Sequence, residues 1–120
     1  MPVQADSLKD GLSRSSEVNV TVIGRKSGRK TSRPVWFVLE GEDLYLLPVE
    51  GSDTQWYQNV LKNPAIELES GNAKGGFKAI PITEPSEVAT VADKFRKKHG
   101  ASDVKKYYSK FDVAVLVPLK

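Results

Sequence analysis

The feature that most constrains this chain is a recurring short β pattern, in which runs of β-branched and aromatic residues are each cut off by a glycine- or proline-bearing turn. In residues 17–23 the apolar Val18, Val20 and Val22 alternate with polar neighbours, as a half-buried strand requires. Residues 31–39 form a second run, with Pro34 near its start, where a missing N–H is tolerated. Glu40–Asp43 is a turn, and Leu44–Val49 returns as the partner strand. Ile66–Glu69 and Gly76–Thr83 read as strands flanking the turn Ser70–Ala73. Residues 112–118, centred on Val-Ala-Val-Leu-Val, read as a strand buried on both sides.

Helical patterns interrupt these runs. Gly51–Thr54 offers capping residues ahead of Gln55–Leu61, and Asn63-Pro64 stops that segment. Glu84–Glu87 opens a longer helix with proline in its first turn; Val88, Val91, Ala92 and Phe95 share a face, and Gly100 ends it. Ala101–Ser109 adds a short helix. Strands with short connections and helices over the ends predict a mainly β, α+β architecture: a six-stranded, closed or nearly closed antiparallel barrel. A chain of 120 residues predicts one domain spanning 1–120.

Composition narrows the chemistry. The absence of cysteine removes thiolate nucleophiles, disulfides and cysteine metal sites, and the lone His99 removes any site that needs two imidazoles, so no metal is expected. His99 lies in the polar run Lys97–Gly100 and reads as a solvated helix end. No apolar run is long enough to span a bilayer. Met1–Gly11 lacks a charged, apolar and cleavable leader, so a cytoplasmic protein is expected.

The net charge is only +3, but five of the ten residues from Gly24 to Arg33 are basic and none is acidic. Glycines let backbone N–H groups approach an anion, while Arg, Lys and hydroxyl groups supply charge-assisted bonds to phosphate oxygens. The spacing is not that of a P-loop, because Gly28 sits one residue too early relative to Lys30 and Thr31, and a strand follows where a P-loop requires a helix. A solvated hairpin, or a surface for nucleic acid, remains open on composition alone. The 15 acidic residues and the lack of an obvious stacking platform argue against nucleic acid. Trp56 and Tyr57 are adjacent on the first helical segment, so one is expected in the core and the other beside a pocket, with Asn59 on the Trp56 side. Trp36 and Phe37 face opposite sides of their strand.

Together the Gly24–Gly28 string, Pro34–Phe37, the Glu40–Asp43 turn and Trp56–Pro64 resemble the deazaflavin (F-420)-dependent nitroreductase family, split β-barrel oxidoreductases related to FMN-binding pyridoxamine phosphate oxidase-like proteins. The resemblance runs from about Val18 to Val117. It implies that Arg25, Lys26, Ser27, Gly28, Ser32, Arg33 and Pro34 surround the cofactor's phosphate and side chain. It further implies that Pro48, Val49 and the Trp56, Tyr57 and Asn59 turn border the ring, with Trp36 and Phe37 among the cofactor contacts and Tyr107 and Tyr108 near the substrate. The implied cofactor is coenzyme F-420, with FMN as the alternative, and the implied partner is a small electron acceptor of quinone, nitro or enone type. Related barrels are often homodimers. Pro48, Val49 and Glu50, where the family commonly has small or hydroxyl residues, motivate a second expectation: a non-catalytic cofactor-binding or carrier protein.

Overall fold

The computed structural model describes residues 8, 11, 12, 15–71 and 73–119. Most of the N-terminal segment read above, and Asn72 of the predicted Ser70–Ala73 turn, lie outside the described residues. The strands are β1 (Glu17–Ile23), β2 (Lys30–Glu40), β3 (Asp43–Leu46), β4 (Ala65–Ser70), β5 (Ala73–Lys78), β6 (Ile80–Ile82) and β7 (Ala114–Pro118). The helices are α1 (Gln55–Lys62), α2 (Pro85–His99) and α3 (Ala101–Tyr107), with a 3-10 turn at Gly51–Asp53.

All strand pairs are antiparallel, in the order β5-β4-β1-β2-β3-β7-β6. The two outermost members are consecutive in sequence, separated only by Ala79, so one bent run of chain pairs with β4 through its first part and with β7 through its second. That run curls the sheet round on itself. It is the single strand expected at Gly76–Thr83, lengthened to Ala73 and broken where the Ala79 N–H leaves the ladder to donate to the Pro64 carbonyl at 2.9 Å. Seven strands by pairing are therefore the six expected from sequence. β3 also ends earlier than expected, at Leu46, because Leu47–Val49 diverge from β2.

The strand β2 changes partner midway. Lys30–Trp36 pair with β1 and Phe37–Glu40 with β3, so the sheet splits at the Trp36–Phe37 peptide. Alternation then divides two apolar clusters. Val18, Val20, Val22, Phe37, Leu44, Leu46, Ile66, Leu68, Val115 and Val117 fill the interior together with Trp56, Tyr57 and Val60 of α1. Val38, Leu47 and Ala114 face outward beneath Val91, Ala92 and Phe95 of α2 and Val104 and Tyr108 beyond it. The β7 strand is thus covered on both faces, which explains its unbroken apolar run. The start of α2 is capped by Glu84, whose carboxylate accepts from the N–H groups of Ser86 (2.8 Å) and Glu87 (3.2 Å).

Candidate functional site

The basic segment is the β1–β2 hairpin turn. The Gly24 N–H donates to Arg29 O at 2.7 Å and the Gly28 N–H to Gly24 O at 2.9 Å, while Gly28 adopts φ +72. Ser27 serves the turn itself, its Oγ accepting from the Arg29 N–H at 3.2 Å. A side chain built on Gly28 would meet nothing within 4 Å, so its backbone lies open to a ligand.

Arg25 is half-exposed but tied back to α1. Asn59 Oδ1 accepts from the Arg25 backbone N–H (3.1 Å) and from its Nη1 (2.8 Å), and Gln55 Oε1 accepts from Nη2 (3.0 Å). The guanidinium therefore latches the hairpin to α1. Lys26, Arg29 and Arg33 are exposed, and their side chains make no hydrogen bond or ion pair with the described residues. Lys30 lies 3.9 Å from Glu67. Strand alternation separates the remaining predicted residues: Ser32 pairs with Thr21, hydroxyl to hydroxyl at 2.6 Å, whereas Arg33 shares the opposite face with its register partner, the interior Val20.

Where β2 and β3 part, a groove of about 350 Å³ opens. One wall is Pro34, Val35 and Trp36, the other Leu47 and Val49, with Tyr107 and Tyr108 closing it and Glu17 the one acid among its described residues. Trp36 is backed by His99, stacked at a centroid separation of 4.5 Å, and meets Tyr107 edge-on at 5.6 Å. His99 Nε2 lies 3.1 Å from the Phe37 carbonyl, which also accepts from Lys98 Nζ at 3.0 Å. Burial pushes the His99 imidazolium below its ordinary value, with the Phe37 carbonyl opposing and Lys98 adding to that shift. Burial likewise lowers Lys98 and raises Tyr108. The reading of His99 as a solvated helix end is corrected: it is half-buried behind Trp36, because the carbonyl freed at the split draws the last turn of α2 inward.

The lower wall of the groove is fixed by a clamp. The Ser109 N–H donates to Val49 O at 2.9 Å and Glu50 bridges Lys110. The Asp112 carboxylate accepts from the Ser52 N–H (2.9 Å) and Oγ (2.6 Å), with Lys110 Nζ 3.2 Å from Asp53. Gly51, at φ +56, lies against that carboxylate so closely that a Cβ would collide with Asp112 Oδ1 and come within 2.9 Å of Lys110 Cγ. The same carboxylate, after burial itself, raises the Tyr57 phenol.

The predicted residues thus fall into separate groups. Pro34, Trp36, Val49, Tyr107 and Tyr108 meet at the groove; Arg25, Lys26, Ser27, Gly28 and Asn59 gather at the hairpin and its latch. Trp56 and Tyr57 are both buried in the barrel, so the expectation that only one of them packs into the core is corrected: α1 plugs the barrel end with both rings. Phe37 is interior and Pro48 buried. Sequence reasoning missed Glu17, Leu47 and the Lys98–His99 clasp, none of which carries a local signal.

A curled antiparallel sheet whose long second strand divides between two partners defines the split β-barrel class. Solved structures share the fold. A structure described as F-420-H2-dependent reductase (FDR-A) is 21% identical, with TM-score 0.66 and coverage of 85% of this chain and 93% of that one. A domain-swapped dimer is 19% identical, with TM-score 0.66 and 96% of each chain covered. HutZ, the heme storage protein from Vibrio cholerae, is 13% identical, with TM-score 0.70 and 94% and 87% covered. No curated protein matches the chain. Over residues 9–119 it matches the model described as F-420-H(2)-dependent quinone reductase, and it belongs to that family.

Proposed function

We propose that this chain is a deazaflavin-dependent reductase that holds the anionic tail of coenzyme F-420 on the Gly24–Arg33 hairpin and passes two electrons to an acceptor in the split groove. The observation that carries this is the pairing of cations that have no partner among the described residues with a largely apolar slot further along the same strand. Lys26 and Arg29 stand on the hairpin from which β2 runs to Pro34 and Trp36, and Arg33 lies next to Pro34 on the other face of the strand. At about 3.4 Å per residue, Lys30 to Trp36 spans roughly 20 Å, the reach of a flat head group with a charged tail. The residues present fit such a group: open backbone at Gly28 and exposed guanidinium and ammonium groups for phosphate and carboxylate, with largely apolar walls for a ring.

When bound, the deazaflavin supplies a hydride; the acceptor gains it together with a proton and leaves as the dihydro product. The chain's own residues bind, orient and exclude water. The Arg25 latch sets where the hairpin presents its charges, Trp36 and Tyr107, set edge to face, line the slot for a planar acceptor, and the Gly51–Asp112 clamp holds Val49 in the opposite wall. The family description, which names a quinone, agrees with an apolar acceptor slot. A homodimer is compatible with this reading, as a neighbour of the same fold is a domain-swapped dimer.

The test is titration of purified protein with oxidised F-420, FMN and FAD by fluorescence, followed by oxidation of reduced F-420 with quinone and nitroaromatic acceptors. Binding of F-420 with turnover supports the proposal. Binding without turnover makes the chain a carrier, and no binding of F-420 at high micromolar concentration refutes it.

A further inference from the structure

Among the described residues that line the groove, one side chain is charged. The others, Val35, Trp36, Leu47, Val49, Tyr107 and Tyr108 among them, include no cation, although the chain is basic and the cationic hairpin begins at the next residue upstream of Pro34. That charge, single among the described residues of the groove, is Glu17, the first residue of β1, held opposite Trp36 by the β1–β2 register. Its carboxylate is exposed and has no ion-pair partner among the described residues. A carboxylate beside a low-dielectric wall acts on whatever ring enters, and its effect depends on the sign of that ring's charge.

We infer that Glu17 is a charge filter for the groove: it lets an uncharged or cationic planar ring lie against Trp36 and Tyr107 and turns away a ring bearing an acidic substituent. The inference rests on the proposed acceptor slot and deepens it by naming the acceptor's charge class. It also accounts for the separation of charges along β2. Anionic groups are drawn to Lys26, Arg29 and Arg33, and Glu17 keeps them from settling in the groove, so a ligand with a charged tail and a neutral head has one register in which to bind. Steering of this kind needs no contact beyond the rim, because unit charges several ångströms apart near a surface interact by about 1 kcal/mol, roughly a five-fold change in affinity.

The test uses equilibrium dialysis of naphthoquinone and of its ring-sulfonated analogue against the full chain at low ionic strength, without coenzyme. The sulfonate carries a desolvation cost in every variant, so the informative quantity is how the ratio of the two affinities changes. Glu17→Gln is expected to narrow the preference for the neutral ring about five-fold and Glu17→Lys to narrow it further, with the melting temperature unchanged. Raising salt to about 0.5 M, where the screening length falls well below 10 Å, should shrink the wild-type preference toward that of Glu17→Gln. A ratio unmoved by either substitution overturns the inference, as does failure of both rings to bind the wild type. Coenzyme titration on the same samples reads the hairpin separately, so F-420 binding with an unmoved ratio removes the filter and leaves the reductase reading in place.

Discussion

The latch between the hairpin and α1 makes the sharpest prediction. Asn59 is 8% exposed and its Oδ1 receives two bonds from one residue, the Arg25 backbone N–H at 3.1 Å and Nη1 at 2.8 Å. Replacing it with alanine strands a part-buried backbone donor, at about 1–3 kcal/mol. The guanidinium is half-exposed and keeps Gln55, so water replaces most of the second bond, which we discount to about 0.5 kcal/mol. Alanine's better helix propensity returns about 0.5 kcal/mol. The net loss is about 2 kcal/mol, which in a domain of this size lowers the melting temperature by roughly 8 °C. Asn59→Asp keeps the acceptor and adds charge opposite Arg25, so it should melt within about 2 °C of the wild type. Calorimetry measures both, and hydrogen exchange of the Arg25 amide isolates the bond, since only the alanine variant should accelerate it. An alanine variant that melts within about 2 °C of the wild type, with unchanged Arg25 exchange, would refute the latch.

Three further outcomes follow from the same geometry. Gly51→Ala forces an L-residue into φ +56 and its methyl into the Asp112 carboxylate, so it should cost about 3 kcal/mol by denaturant unfolding and weaken ligand binding in the groove through Val49. Lys26→Ala and Arg33→Ala, at exposed side chains without partners among the described residues, should leave the melting temperature unchanged while weakening F-420 binding several-fold and flattening its salt dependence in a fluorescence titration. Burial holds His99 below its ordinary value near 6.5, so between the two values the unfolded chain binds the proton that the folded one refuses. Stability should therefore fall as pH drops through about 6.5 and stop falling below the folded value, and His99→Gln should remove that part of the slope in denaturant unfolding at pH 7.5 and 5.5. An unchanged slope would count against the buried neutral imidazole.

Much of the barrel was legible because each strand's face depends on its own side chains. Val18, Val20 and Val22 alternate, and they face inward; the 112–118 run is unbroken, and β7 is covered on both sides. The hairpin was legible for the same reason, since glycines and a dense local charge act within a few residues. Asn59 was visible as a functional candidate, but its tie to Arg25, 34 residues away, was not.

What only the tertiary structure decided was where partners change. Nothing between Trp36 and Phe37 announces that β2 leaves β1 for β3 there, yet that switch opens the groove and frees the Phe37 carbonyl that Lys98 and His99 come to satisfy. It also brings Glu17, Leu47 and Tyr107 to one place. Side-chain periodicity records which face of a sheet a residue prefers; which strand lies alongside is settled by chain closure over tens of residues and by the volume that Trp56, Tyr57 and Phe37 must fill together. The hairpin's charge was therefore written in consecutive residues, and the groove beside it was made by packing.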